Sequence, residues 1–115
     1  MIFPNKLQAY VYIAPVDMRK SIDGLASKVQ CFGSNPFSGN LYVFSNKQRN
    51  LIKILYWHTN GFCLWMKRLE REKFVWPKES SECFAITEKQ LAWLLDGLDF
   101  SNVKSHKELK YSRVF

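Results

Sequence analysis

The sequence predicts an α+β fold in which an antiparallel β-meander of about five strands packs with two main helices. Short apolar runs alternate with polar turns from Asn40 to Pro77. Turns this short make neighbouring strands antiparallel, because a parallel pair needs a long crossover. Apolar residues at helical spacing flank this stretch on both sides. The predicted sheet either stays open or curls into a partial barrel, since the periodicity is compatible with both.

Length and composition predict how the chain is organised. Its 115 residues fit one domain, and 47% of them are hydrophobic, which excludes a disordered chain. We assign residues 1–100 to a single α+β domain and residues 101–115 to a basic, partly flexible C-terminal tail. No apolar run reaches the ~20 residues that span a bilayer, and the first residues lack a secretory pattern. The expected location is therefore the cytoplasm, without membrane contact.

One strand and one helix are predicted ahead of the meander. Residues 9–14 (AYVYIA) have the aromatic and β-branched composition of a strand. Asp17 can cap a helix by accepting a hydrogen bond from a first-turn N–H, and this helix is predicted from about Met18 to Gln30. Its apolar face is formed by Ile22, Leu25, Ala26 and Val29. Residues 32–39, which are rich in glycine and small polar residues, predict a loop.

The meander contains four of the predicted strands. They span residues 41–45, 51–57, 62–69 and 74–76. The Asn60-Gly61 pair between the second and third of them is a strong hairpin signal. Pro77 lacks a backbone donor and is expected to end the ladder.

A second helix is predicted after the meander. Thr87 and Gln90 have the spacing of a capping box, in which each side chain bonds to the other residue's backbone N–H. The apolar face of the helix that starts there is formed by Leu91, Leu94, Leu95 and Leu98. Gly97 is placed to end this helix in a left-handed conformation.

An excess of basic residues indicates a polyanionic partner, for which nucleic acid is the obvious candidate. There are 17 Lys and Arg against 10 Asp and Glu, a net charge of +7. Alternate turns of a meander fall on one edge of the sheet, so the basic turns at 46–50 and 70–73 are expected to share an edge that contacts phosphates. The alternative is a set of solvated surface charges. The candidate DNA-binding residues are Arg19, Lys20, Lys47, Arg49, Lys67, Arg68, Arg71 and Lys73.

Three aromatic residues near the predicted hairpin have two possible roles. Trp57, Phe62 and Trp65 could stack on the bases of a single strand. Their spacing along strands is more typical of a hydrophobic core, which is the favoured interpretation.

The sequence contains no recognisable catalytic pattern. Neither His58 nor His106 has a partner at a diagnostic spacing, and a nucleophile elbow, a P-loop and a dinucleotide fingerprint are all absent. The carboxylates are scattered, and Cys31, Cys63 and Cys83 do not have zinc-site spacing. We therefore predict no catalytic residue, no metal site and no cofactor.

Several segments, in order along the chain, carry a family resemblance. They read VDMRKSIDGL at 16–25, NPFSG at 35–39, LYVF at 41–44, KILYW at 53–57, NGF at 60–62, KRLE at 67–70, FVWP at 74–77, and QL followed by LLDGLD within 90–99. Over roughly residues 9–100, this combination resembles the "second reading frame-like" accessory proteins, called TnpB, of the insertion-sequence family numbered sixty-six. These proteins are distinct from the RNA-guided nuclease that is also called TnpB.

The resemblance implies a small protein of a bacterial mobile element, encoded beside a larger transposase and acting in transposition without a known catalytic site. It also makes residues 17–20 and 67–70 the best site candidates. The first hypothesis is an accessory factor, not an enzyme, that binds DNA, the transposase of the same element, or both. The second is a subunit that bridges transposase components without touching DNA. The third is a metal-dependent nuclease, which the scattered carboxylates disfavour.

Overall fold

The computed structural model describes residues 8–78 and 81–99, which form one five-stranded sheet with a helix on each face. The predicted α+β class is confirmed. The predicted tail, residues 101–115, lies outside the described residues. The strands are β1 (Ala9–Tyr12), β2 (Leu41–Ser45), β3 (Leu51–His58), β4 (Gly61–Arg68) and β5 (Cys83–Ile86), and the helices are α1 (Ile22–Cys31) and α2 (Glu88–Leu95).

The sheet is mixed, with strand order β4-β3-β2-β1-β5. Strands β2, β3 and β4 form the predicted antiparallel meander. Strand β1, in contrast, lies parallel to β2, with Val11 opposite Val43. This pairing is possible because the connection between them is long enough to carry α1 as a crossover. No pairing among the described residues closes the sheet into a barrel.

Both faces of the sheet are covered. The face that packs against α1 has as its buried core Tyr12, Val16, Leu25, Val29, Tyr42, Phe44 and Leu55. The opposite face packs against α2 and residues 74–76, and its core includes Val11, Leu41, Val43, Ile52, Ile54, Leu91 and Leu94. Each such side chain contributes roughly 1.5–3 kcal/mol on full burial. All of β2 is buried, because this strand lies at the centre of the sheet.

The prediction of a fourth meander strand at Phe74–Trp76 is wrong. These residues are extended but form no ladder: the Phe74 N–H donates to the Arg49 carbonyl oxygen at 2.7 Å, and Trp76 Nε1 donates to the Tyr12 carbonyl oxygen at 3.0 Å. Phe74 and Trp76 are 3% and 8% exposed, whereas Val75 is 40% exposed. An extended segment that lies across a sheet face therefore shows the same alternation as a strand. It follows that Pro77 ends no ladder.

The fifth strand lies further along the chain than the sequence analysis placed it. Strand β5 is antiparallel to β1, with Phe84 opposite Val11. Only four residues long, it has too short a pattern to be told from a loop by periodicity.

The two predicted helices are present, with corrections to each of them. Helix α1 begins at Ile22 rather than near Met18, and Ser21 is its N-cap residue, without a side-chain cap hydrogen bond. The predicted capping role of Asp17 is therefore wrong. Helix α2 has the complete capping box predicted at Thr87, and Gly97 follows its end with φ of 82°, as expected. The helix ends at Leu95, so the prediction that Leu98 belongs to its apolar face is wrong, and Leu98 is exposed.

Candidate nucleic-acid interface

The edge of the sheet where β1, β2 and β4 end brings together three segments that carry all the candidate cations. They are residues 13–20, 46–50 and 67–73, which we call the basic edge. The Val16 N–H donates to the Ser45 carbonyl oxygen at 2.9 Å, and the Leu69 N–H donates to the Asn50 carbonyl oxygen at 2.8 Å. The 46–50 turn therefore lies between the other two segments. Residues 46–50 and 70–73 share an edge as expected, although residues 70–73 lead into the extended segment at 74–76 and not into a meander strand.

The charge of this edge accounts for most of the net charge of the protein. The three segments contain eight Lys and Arg against three Asp and Glu, which leaves +5 of the total of +7. Three short segments, none of which is helical, therefore present a dense positive surface.

Asn46 fixes the shape of the 46–50 turn. Its Oδ1 accepts hydrogen bonds from the N–H groups of Asn50 and Leu51, both at 3.1 Å. Its Nδ2 donates to Asn50 Oδ1 at 2.6 Å. Because these bonds anchor both ends of the turn, Lys47 is held at an exposed tip, and it forms no ion pair with any described residue.

Arg49 lies in the same turn, but its guanidinium group turns inward. Its Nη2 donates to the Ile13 carbonyl oxygen at 2.8 Å, and its guanidinium carbon lies 5.0 Å from the centre of the Trp76 ring. Burial lowers the pKa of this side chain from its ordinary value, although an arginine stays protonated. Arg49 therefore connects parts of the fold, and much of its charge is withdrawn from the surface.

Residues 17–20 form a tight turn ahead of α1. The Lys20 N–H donates to the Asp17 carbonyl oxygen at 3.0 Å. The Asp17 carboxylate accepts from the Arg19 N–H at 2.9 Å and from Arg19 Nη2 at 2.6 Å. These hydrogen bonds hold the pKa of the Asp17 carboxyl far below its usual value and raise the pKa of Arg19. The pair is exposed, so it orients Arg19 more than it stabilises the fold.

Lys53 holds this turn against the sheet. Its Nζ donates to the Met18 carbonyl oxygen at 2.8 Å and to the Lys20 carbonyl oxygen at 3.2 Å. Lys53 is not among the candidate cations predicted from the sequence. The signal that the sequence offered was a single lysine inside an otherwise apolar strand, which suggests that the charge has a dedicated partner.

The four cations of residues 67–73 differ in the hydrogen bonds and ion pairs that they form within the protein. Lys67 Nζ donates to the Leu95 carbonyl oxygen at 2.8 Å, at the end of α2, where the helix dipole favours a cation. Arg68 Nε lies 3.1 Å from Glu70 Oε2, and both side chains are exposed. Arg71 and Lys73 are exposed, and neither forms an ion pair with a described residue. The cations most available to a ligand are therefore Lys20, Lys47, Arg71 and Lys73.

The three aromatic candidates lie apart from the basic edge. Trp57 and Phe62 are opposite each other in the register, with ring centres 5.0 Å apart, near the turn at the other end of β3 and β4. Phe37 packs on both rings and is 51% exposed. Trp65 lies on the opposite face of the sheet, against the α2 core. Trp65 therefore belongs to the core, and the other two rings do not extend the basic edge.

The described residues contain neither a candidate metal centre nor a membrane helix. Within residues 8–78 and 81–99, no group of three or more His, Cys, Asp and Glu side chains is placed to hold a metal ion. In the same part of the chain, no helix is long and apolar enough to cross a membrane.

Comparison with known proteins identifies the family. A family model described as "IS66 Orf2 like protein" matches residues 7–105. The chain belongs to the IS66 Orf2-like family. The resemblance drawn from the sequence is thereby confirmed, and an IS66 Orf2-like protein is an accessory protein of an insertion sequence. The match includes all three segments of the basic edge.

Two relatives of this IS66 Orf2-like chain come from Sinorhizobium fredii (strain NBRC 101917 / NGR234). Uncharacterized protein y4hO is 38% identical over 102 residues, covering 86% of this chain and 89% of that protein. Uncharacterized protein y4jC is 31% identical over 106 residues, covering 90% and 91%. Both therefore match over most of their length. No solved structure matches this chain.

Proposed function

We propose that this IS66 Orf2-like protein is a non-catalytic accessory factor of transposition that binds the phosphate backbone of DNA along the basic edge. The observation that carries the proposal is the gathering of eight of the 17 Lys and Arg residues in three neighbouring segments. Cations that neutralise phosphates release condensed counterions, so such a surface gives affinity without reading the sequence.

The eight candidate cations divide into two roles under this proposal. Lys20, Lys47, Arg71 and Lys73 are exposed and contact phosphates directly, joined by Arg19 and Arg68 from their exposed ion pairs. Arg49 and Lys67 instead hold the segments in place through their bonds to backbone carbonyl oxygens.

The transposase of the same element is the second proposed partner. A surface that contacts only phosphates does not select a site, whereas transposition acts at defined ends of an element. The division of labour that follows is a sequence-tolerant helper that acts together with a transposase that reads the sequence.

The test is fluorescence anisotropy with a labelled duplex from the terminal repeat of the element, beside a scrambled duplex, across a salt series. We expect similar, salt-sensitive binding to both duplexes. The double variant Lys47→Ala/Arg71→Ala removes one exposed cation from the 46–50 turn and one from residues 67–73. We expect it to weaken binding and to reduce the slope of log K against log salt by about 2.

The matched control is Lys28→Ala/Lys89→Ala, which removes the same charge far from the basic edge. Lys28 lies in the last turn of α1 and Lys89 in the first turn of α2, beside the edge where β2 begins and β5 ends. Binding should change little in this variant. An equal loss in both double variants would show that net charge matters and the basic edge does not.

The alternative function is a subunit that bridges transposase components without DNA contact. This alternative would be favoured if the protein does not bind DNA at low salt and if Lys47→Ala/Arg71→Ala still captures the purified transposase.

The nuclease hypothesis would need metal-dependent cleavage that Asp17→Asn abolishes. No arrangement among the described carboxylates supports that activity.

A further inference from the structure

Strand β4 is an outermost strand of the sheet. The backbone groups along its outer side have no partner strand among the described residues. Strand β4 is eight residues long, twice the length of β5 at the other end. Its pairing with β3 is regular from Leu51 opposite Arg68 to His58 opposite Gly61, without a bulge. A long, straight edge of this kind is a ready template for another strand.

Over most of its length, this edge also lacks the charges, proline and bulges that usually protect an edge strand, and no described strand pairs along it. Residues Gly61 to Met66 contain neither a charge nor a proline. Lys67 is half-buried and donates to the end of α2, so Arg68 is the first exposed cation of β4. Met66 is 59% exposed, which is unusual for a large apolar side chain in a strand.

The register defines which backbone groups the edge offers. The Leu69 N–H donates inward, to the Asn50 carbonyl oxygen. Because inward and outward residues alternate in an antiparallel pair, the outward N–H and C=O groups belong to Phe62, Leu64, Met66 and Arg68. These are also the residues whose side chains lie on the α1 face of the sheet, where Phe62 and Leu64 join the α1 core.

We propose that this edge pairs with the same edge of a second copy of the chain, with β4 antiparallel to the partner's β4 and Leu64 opposite the partner's Leu64. A two-fold axis perpendicular to the sheet keeps the two α1 faces on the same side. This axis therefore requires side chains of the same face to lie opposite each other across the interface. Leu64 has the outward N–H and C=O groups that form a hydrogen-bonded pair across the axis.

This register matches apolar residues with apolar residues. Phe62 lies opposite the partner's Met66, so the exposed Met66 of each copy is covered by an aromatic ring. Cys63 lies opposite the partner's Trp65. Cross-strand pairs of this kind contribute about 0.2–1 kcal/mol each, and the symmetry supplies every unlike pair twice.

The register also keeps the cations apart, which is the reason to choose a second copy as the occupant. Lys67 lies opposite the partner's Gly61, and Arg68 lies opposite the partner's Asn60. Moving the axis to Met66 would pair Arg68 with the partner's Leu64 and shorten the overlap. The outer side of β4 is thus complementary to itself in one register. Pairing in this register joins the two sheets into one continuous sheet, in which the two basic edges face opposite directions along the strands.

The first test is the mass of the full chain by sedimentation equilibrium over a concentration series. We expect a reversible dimer of twice 13.6 kDa. Met66→Lys places a charge opposite the partner's Phe62 at two symmetric positions and should raise the dimer dissociation constant about tenfold or more. Val75→Lys is the control, because Val75 is also exposed, at 40%, but lies away from β4.

The second test examines the register by disulfide trapping in a background of Cys31→Ala, Cys63→Ala and Cys83→Ala. Leu64→Cys should cross-link under mild oxidation, since hydrogen-bonded pairs have Cα atoms about 5.5 Å apart, within disulfide range. Met66→Cys should not, because the two thiols would lie about four residues, or ~13 Å, out of register.

Three outcomes would overturn the proposal. One is a monomer at every concentration. Another is a dimer that Met66→Lys and Val75→Lys weaken equally. The third is a dimer that cross-links through Met66→Cys and not through Leu64→Cys.

Discussion

The guanidinium carbon of Arg49 lies 5.0 Å from the centre of the Trp76 ring. The same residue donates through Nη2 to the Ile13 carbonyl oxygen and accepts the Phe74 N–H at its own carbonyl oxygen. Arg49, which the sequence predicts to contact DNA, therefore connects three segments of the fold.

Arg49→Ala should lower the free energy of unfolding by about 2–3 kcal/mol, because it removes a charged hydrogen bond and a cation–π contact. Urea denaturation measures this change. Lys47→Ala, at the exposed tip of the same turn, should change stability by less than about 0.5 kcal/mol. If Arg49→Ala instead leaves stability unchanged and strongly lowers the affinity for DNA, Arg49 is a direct DNA contact.

Lys53→Met keeps the apolar stem of the side chain but removes the donor to the Met18 and Lys20 carbonyl oxygens. We expect the 17–20 turn to loosen, with a loss of about 1–2 kcal/mol in stability. Hydrogen exchange followed by mass spectrometry should show faster exchange in peptides that cover this turn. Lys20→Met, which removes an exposed ammonium from the turn itself, should leave exchange almost unchanged.

The β3–β4 hairpin stores backbone strain at Thr59. This β-branched residue has φ of 58°, and the Asn60 N–H donates to the His58 carbonyl oxygen at 2.6 Å across it. The left-handed region is costly for such a side chain, so Thr59→Gly should raise stability by about 0.5–1 kcal/mol after the entropy of glycine is counted. Asn60→Gly is the control: Asn60 does not have positive φ, so thermal denaturation should show no gain.

The two helices begin differently, and this difference can be measured. Thr87 accepts from the Gln90 N–H at 3.0 Å at the start of α2, whereas Ser21 makes no side-chain cap hydrogen bond at the start of α1. Thr87→Ala should therefore lower stability by about 1 kcal/mol, and Ser21→Ala by much less. Equal losses would mean that the side-chain hydrogen bond of Thr87 gives its cap no advantage over that of Ser21.

Thiol reactivity should follow burial. Burial raises the pKa of the Cys83 thiol, and the nearby Glu82 carboxylate raises it further, so less of the reactive thiolate is present at a given pH. Alkylation of the folded protein near neutral pH should modify the exposed Cys31 before Cys83, as peptide mass spectrometry would show. Raising the pH should narrow the difference, and unfolding in urea should abolish it.

Local signals in the sequence were enough to predict the meander and α2. The apolar strands at Leu41–Ser45 and Leu51–His58 are long, and the turn between them is short. Their antiparallel pairing therefore follows from the local sequence. In contrast, β5 becomes a strand only by pairing with β1, from which most of the chain separates it. Phe74 and Trp76 show the alternation of a strand because a sheet face buries them, which periodicity alone cannot distinguish from a ladder.

The candidate site was predictable to a similar extent. The shared edge of the two turns follows from meander topology, and the structure places residues 13–20 beside them. The direction of an individual side chain does not follow from topology. Arg49 turns inward because Trp76 and Ile13 provide a ring and a carbonyl oxygen for it, and neither contact is visible in the local sequence.

The place of β1 between β2 and β5 has a consequence for synthesis on the ribosome. The strand made first is paired on one side with residues 41–43 but must wait for residues 83–86 on the other. Until Ile86 has left the exit tunnel, the nascent chain presents a half-paired β1 and an apolar sheet face that residues 74–76 cover only in part, because α2 is still missing. Pairings of such large sequence separation slow folding, so the emerging chain should bind chaperones and remain sensitive to proteases until its last quarter is translated.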